Sequence, residues 1–345
     1  MLFVFPFSAD NASWLAKAAP RITNTPGVVL FFKQLRFIKQ KVMCPRKHTA
    51  TPPDILSFQQ IFLSKNQKNL ATAYIPALCP TMRLPYYHVD AFTGKLFSGN
   101  PAGVCPLEQW LPDRILQSIA AENNLSETAF FKREPDFFEL RWFTPTLEVD
   151  LCGHATLAPA HVLFAELGHS DNSVRFQTRS GLLTATRRNA MIELDFPARP
   201  PQACATPEKL SRALGRMPRE VLKSRDYLAV FESQAEVAAL TPDMDLLGQL
   251  DCLGIIVTAP GEDADFVSRF FAPRAGVPED PVTGSSHCTL IPFWAERLGN
   301  SELLARQISR RGGEIFCRHL RDRVGIGGRA IVYSRGEIET GGVSS

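Results

Sequence analysis

The chain lacks most of the features that would assign it quickly. Its 345 residues hold no apolar stretch near the ~20 residues a membrane-spanning helix needs, and runs such as residues 27–32 are far shorter, so neither a transmembrane helix nor a membrane partner is expected. The eight cysteines (Cys44, Cys79, Cys105, Cys152, Cys204, Cys252, Cys288 and Cys317) include no C-x-x-C pair and no regular spacing. That excludes a disulfide framework or zinc site and makes reduced thiols in the cytoplasm the default. There is no H-E-x-x-H, no G-x-x-x-x-G-K-[ST] and no G-x-S-x-G, so zinc protease, P-loop and hydrolase readings lack their parts. G-I-G-G at 325–328 is not followed by the helix a dinucleotide fingerprint requires, and reads as a hairpin turn. Chemistry without a metal or cofactor is the expectation that remains.

Charge is nearly balanced, 38 Lys and Arg against 35 Asp and Glu, but unevenly placed. Residues 1–82 carry ten basic residues, two acids (Asp10 and Asp54) and no Glu, which leaves 28 basic against 33 acidic residues in the remainder. The main body is thus mildly acidic, without the basic stripe of a nucleic-acid binder. Residues 1–82 show no sustained period of 2 or 3.6 and are expected to be a basic extension, poorly structured or not part of the natural protein, with translation starting at Met82. An acid-poor basic leader also suits an organelle transit peptide.

What the body does contain is a repeat. R-W-F-T-P at 141–145 returns as R-F-F-A-P at 269–273, an offset of 128; Gly153, Leu167 and Gly168 then match Gly284, Leu298 and Gly299 at an offset of 131. The second copy has gained three residues in the connecting loop. Each copy reads as a strand ending at Pro, a loop, a glycine, an apolar helix (154–167 and 285–298) and a closing glycine suited to a helix C-cap. Helices apolar on nearly every side are buried all round. Short, partly alternating segments at 174–178, 182–186 and 191–196, and at 307–309, 314–319 and 330–334, predict strands that wrap them. The fold class expected is α+β: two pseudo-symmetric lobes, each a central helix wrapped by a curved, mostly antiparallel sheet. The N-lobe takes 83–198 plus about 333–342 and the C-lobe 199–332, with the cleft between them as the ligand site.

The repeat places the two pre-helix loops equivalently, E-V-D-L-C-G-H at 148–154 and E-D-P-V-T-G-S at 279–285. Facing helix starts offer unpaired N–H groups and about half a positive charge each, a cradle for a carboxylate. Gly153 and Gly284 would let a ligand approach the backbone, and Ser285 mirrors His154; Thr283 or Ser285 serves equally as a simple helix cap. His154 is a proton-transfer or hydrogen-bonding group where the helix dipole favours the neutral imidazole, or else a structural donor. Asp280 would orient a histidine or hold a substrate amine, or merely occupy a turn before proline. Glu127, after an amphipathic helix at 112–122, lies between polar Asn and Ser residues and an Ala-Phe-Phe strand start. The edge of an apolar surface is where a carboxyl works as a proton shuttle. The loop F-S-G-N-P-A-G at 97–103 follows a strand at 86–92, and either closes over a ligand or only turns.

Taken together, V-D-A-F-T at 89–93, G-N-P-A-G-V at 99–104, N-L-S-E-T-A-F at 124–130, C-G-H-A-T-L-A at 152–158 and E-D-P-V-T-G-S at 279–285 strongly resemble the phenazine-biosynthesis isomerase (PhzF-like) family. The resemblance covers about 83–342. It implies a fold similar to diaminopimelate epimerase, a homodimer, and isomerisation without cofactor in which the glutamate of N-L-S-E shuttles a proton. On this sequence that glutamate is Glu127, with His154 and Asp280 as its catalytic companions and Asn100, Ser126, Gly153, Gly284 and Ser285 binding substrate. The related epimerases and racemases use two cysteines, one before each central helix; Cys152 holds the first place and Ser285 the second, half a thiol pair. The function expected is therefore a one-base proton shift on a small, carboxylate-bearing, possibly cyclic metabolite. The alternatives are a cysteine-assisted epimerase or racemase using Cys152, and a non-catalytic metabolite-binding or interaction protein of the same fold.

Overall fold

The computed structural model describes residues 82–340. The expectation for an N-terminal extension falls on residues outside that range, Met82 excepted. Among the described residues no helix is long and apolar enough to cross a membrane.

The repeat seen in the sequence is a repeat of strand order. In the first lobe β1 (Met82–Ala91) pairs with β2 (Asn100–Leu107), a helix α1 (Asp113–Asn123) crosses over, and β3 (Glu127–Arg133) lies parallel to β2. Next come β4 (Phe138–Phe143) with its short partner β5 (Glu148–Val149), and then the central helix α2 (His154–His161). β6 (Ser173–Thr178) returns parallel to β4, and β7 (Gly181–Arg188) and β8 (Met191–Pro197) complete the curve.

The second lobe repeats this order. β9 (Gln202–Ala203) and helix α3 (Glu208–Leu214) precede β10 (Glu220–Lys223) and β11 (Tyr227–Val230). Helices α4 (Gln234–Ala239) and α5 (Met244–Leu247) cross to β12 (Ile255–Pro260), which lies parallel to β11. β13 (Phe266–Ala272) with β14 (Val277–Asp280) leads into the second central helix, α6 (Gly284–Leu298). β15 (Glu302–Gln307), parallel to β13, then β16 (Gly313–Leu320) and β17 (Arg323–Gly328) close the lobe. The lobes join where β8 and β17 pair antiparallel, from Pro197 opposite Arg323 to Ile192 opposite Gly328. The chain then returns to the first lobe, where β18 (Ala330–Thr340) pairs along β1. The parallel pairs are those spanned by a helix, as right-handed crossovers require.

Both central helices are buried around their circumference, His154–Ala160 in one and Ser286–Ala295 in the other. Each contains a proline, Pro159 and Pro292, which lacks the N–H that would bond the carbonyl four residues back. Those carbonyls are satisfied from outside: Trp142 Nε1 donates to Ala155 O at 2.9 Å, and the Arg199 N–H donates to Cys288 O at 2.8 Å. The inner strand faces and both helices share one core. The outer faces are covered separately, by α1 in the first lobe and by α3, α4 and α5 in the second.

Four expectations need adjusting. The helix expected over 154–167 is α-helical to His161 and a π-turn over Val162–Glu166, with Leu167 N–H donating to Val162 O. The strand expected at 307–309 lies at Glu302–Gln307, where Leu303, Ala305 and Gln307 alternate inward. That expected at 330–334 runs on to Thr340 and pairs with the first lobe. Gly325–Gly328 is strand and no hairpin turn: a Cβ at Gly328 would lie 2.4 Å from the Phe92 ring, so close packing sets the composition. Four residues turn the hairpin in each copy, and the three gained by the second lengthen the β13–β14 pairing, where the register shifts between Phe270 and Ala272.

Candidate active site

The two pre-helix loops meet. A Cβ built on Gly153 would lie 2.9 Å from Gly284 Cα, and one on Gly284 would lie 3.0 Å from Gly153 Cα. Two helix starts are thus packed backbone to backbone, possible only because both residues lack side chains. No side chain caps either helix, against the expectation that Thr283 or Ser285 might. The first-turn N–H groups therefore have no intrachain side-chain acceptor, and they face a cleft of about 310 Å³.

Asn100 is the hub beneath this junction. Its Nδ2 lies 2.7 Å from Asp280 Oδ1, 2.9 Å from Val282 O and 3.1 Å from His154 Nδ1, while Ser126 Oγ donates to its Oδ1 at 3.2 Å. Its start of β2 against Ala91 and the left-handed turn at Gly99 (φ 68°) aim the amide inward. A Cβ at Gly99 would collide with Ala91 O at 2.2 Å. Asn100 is fully buried and its polar atoms are consumed by protein, so it positions the loops and does not line the cleft.

Glu127 opens β3, delivered there by the αL C-cap at Asn124 (φ 48°) that ends α1. Its Oε2 lies 2.8 Å from His154 Nε2. The same buried oxygen accepts no aligned hydrogen bond among the described residues, so the contact is electrostatic. Asp280 ends β14. Thr283 Oγ1 donates to its Oδ2, and Gln307 braces the loop by accepting from Thr283 N–H at 2.8 Å and donating to Asp280 O at 2.7 Å. Of the residues singled out in the sequence, Ser126, Glu127, Gly153, His154, Asp280, Gly284 and Ser285 all line the one cleft.

The electrostatics correct one expectation. Burial disfavours charge on His154 and the helix dipole should do the same, yet its pKa is raised well above 6.5 by Cys152 and Glu127. Burial pushes the Cys152 thiol itself up to about 11, so at neutral pH it carries no charge and the Glu127 carboxylate is the partner that matters. Asn100 has two amide hydrogens for three neighbours; Asp280 and Val282 O take them, and the Nδ1 proton of a charged His154 is free to face Cys152 Sγ at 3.5 Å. Dehydration raises Asp280 from 3.8 to about 6, with Glu127 adding to it and His154 opposing it.

A second correction concerns the thiol pair. At the offset of 131 that aligns the glycines, the residue standing opposite Cys152 is Thr283, and Ser285 stands opposite His154. Thr283 commits its hydroxyl to Asp280, and neither position carries a second thiol. Glu127, Cys152 and His154 present ligand atoms within 4.8 Å of one another. Two of these three groups are bound up with each other, since Glu127 and His154 form an ion pair.

Sequence reasoning missed Arg225, which also lines the cleft, and the apolar walls formed by Leu147, Val149, Leu151, Leu253 and Phe270. A lone arginine in a turn carries no motif, and wall residues arrive from both lobes.

Fold and site define a two-lobed α+β protein with an acid, a histidine and paired helix starts in its cleft. Residues 89–336 match the phenazine biosynthesis-like protein family. The chain is 51% identical over 257 residues to an uncharacterized isomerase of Pseudomonas aeruginosa, covering 74% of this chain and 99% of the relative. It is 39% identical over 286 residues to the human phenazine biosynthesis-like domain-containing protein, with the same coverages. The crystal structure of a PhzF family protein from Enterococcus faecalis superposes with a TM-score of 0.73 at 46% identity, covering 74% of this chain and 99% of that one. The chain belongs to the PhzF-like family, and some of its bacterial relatives carry the name isomerase.

Proposed function

We propose that the chain is a cofactor-independent isomerase that moves a proton within a small, carboxylate-bearing cyclic metabolite. The observation that carries this is Glu127 Oε2, buried, 2.8 Å from His154 Nε2 and short of an aligned partner, at the edge of a cleft walled by both helix starts. Glu127 takes a proton from one substrate carbon and returns it to another. His154 holds the carboxylate in place and offsets its charge while it is ionised. Substrate carboxylate binds the N–H groups at Gly153, Gly284 and Ser285, where two helix dipoles converge, with Ser126 at the rim. Asp280, with a pKa raised to about 6, holds a polar substituent or shares the proton. Two-base racemisation is disfavoured, because the single thiol is held protonated and faces no second one. A cytoplasmic homodimer without metal goes with this reading.

The test is to identify by mass spectrometry the small molecule that co-purifies with the chain and to assay its conversion. Glu127→Gln should lower turnover by ~10²–10⁴-fold, the contribution of a positioned general acid–base. Full turnover by that variant overturns the assignment.

A further inference from the structure

We infer that Arg225 is the cationic anchor of the carboxylate seat and so selects anionic substrates; this rests on the isomerase reading above and adds a residue to it. Arg225 sits in the tight turn between β10 and β11, where Ser224 N–H donates to Asp226 O. Asp226 is 3% exposed and fixes the guanidinium: its Oδ2 accepts from Arg225 Nε at 3.0 Å and Nη2 at 2.7 Å, and its Oδ1 accepts from Gly254 N–H at 3.1 Å. Both bonds end on one carboxylate oxygen and use the Nε–Nη2 edge of the fork. Nη2 also reaches Ser285 Oγ at 3.4 Å, on the first turn of α6, so its second hydrogen faces the helix start. Among the described residues no partner is recorded for Nη1.

Charge makes the anchor necessary. The cleft holds two acids, Glu127 and Asp280, and the adjoining His154 offsets only one of them, so acidic charge still meets an incoming carboxylate. Helix starts offer only about half a charge each, whereas an arginine fork, even with Asp226 offsetting part of its charge, adds charge-assisted hydrogen bonds roughly twice as strong as neutral ones. The other arginine on the cleft wall, Arg274, is committed to Leu250 O at 2.9 Å and lies 3.8 Å from Asp251, and His154 is engaged by Glu127. Asp226 is then a positioning residue, acting through Arg225.

The apolar walls suit a ring, so the probes are benzoate and its uncharged isostere benzamide, titrated calorimetrically into the full chain. Benzoate should bind and benzamide should bind at least tenfold more weakly. Arg225→Gln should weaken benzoate by about tenfold or more, the worth of a hydrogen bond to a charged group, with benzamide unchanged. Arg225→Lys should recover part of the loss, and Asp226→Asn should weaken benzoate less than Arg225→Gln does. Equal benzoate affinity in wild type and Arg225→Gln overturns the inference, as does no preference for benzoate over benzamide in wild type. Glu127→Gln should keep benzoate binding. Should that variant also keep full turnover, the proton-shuttle reading fails while Arg225 stands as the anchor.

Discussion

Gly153 and Gly284, 131 residues apart in sequence, touch so closely that a methyl group on either would lie within about 3.0 Å of the other's Cα. Their contact is backbone against backbone, so no side chain can rotate away to make room. It holds the two uncapped helix starts at one point and sets the width of the cleft.

Gly153→Ala and Gly284→Ala should therefore both destabilise, by about 1–3 kcal/mol as overpacking does, and should impair the site. Gly336→Ala, on an exposed stretch of β18 where an added Cβ meets nothing within 4 Å, is the control and should be near neutral. Urea denaturation midpoints check this; equal midpoints for Gly153→Ala and Gly336→Ala would show that the loops are not in contact.

Asn100→Ala removes the donor shared by Asp280 and Val282 O and the acceptor of the Ser126 hydroxyl. Leaving such groups unsatisfied costs about 1–3 kcal/mol each. The variant should be less stable and should bind ligands weakly, although Asn100 itself does not reach the cleft. A crystal structure of the variant should show the 280–284 loop displaced from His154; an unmoved loop would mean that Gln307 and Thr283 suffice to hold it.

How much of this could be read from residues alone varied with the range of the signal. The R-F-F-A-P repeat and paired glycines are local patterns, and they led to both central helices and to the meeting of their starts. Pairing of β8 with β17 across some 130 residues leaves no local trace. The π-turn at Val162–Glu166 likewise depends on packing beyond Pro159. His154 and Asp280 stood out because each sits beside glycine, proline or helix-start residues, and Glu127 because it is the acid between polar residues and an apolar strand start. Arg225 sits in S-R-D-Y, a turn sequence that reads as solvated charge, and only the packing of β10 and β11 against α6 brings it to Ser285.

His287 gives a pH test away from the cleft. It is fully buried, its Nδ1 donates to Thr283 O at 2.8 Å, and its Nε2 has no partner. Burial lowers its pKa from 6.5 to about 4. The unfolded chain therefore takes up a proton near pH 6.5 that the folded chain refuses until about pH 4. Stability from this group is present above pH 6.5 and is lost as pH falls between those values, by roughly 3 kcal/mol in total. His287→Gln should lower stability at pH 7 and flatten the decline between pH 7 and pH 4, as measured by denaturation at each pH. Parallel curves for the variant and the wild type would show that His287 titrates normally.

The measurement that bears most directly on Glu127 is turnover of the co-purified metabolite in D2O, followed by NMR. A single carboxyl that takes the proton and returns it should pass on the substrate's own hydrogen, with deuterium entering the product only as far as that carboxyl exchanges with solvent before it donates, while Glu127→Gln gives neither product nor deuterium. Deuterium incorporation at the wild-type rate by Glu127→Gln would contradict the account.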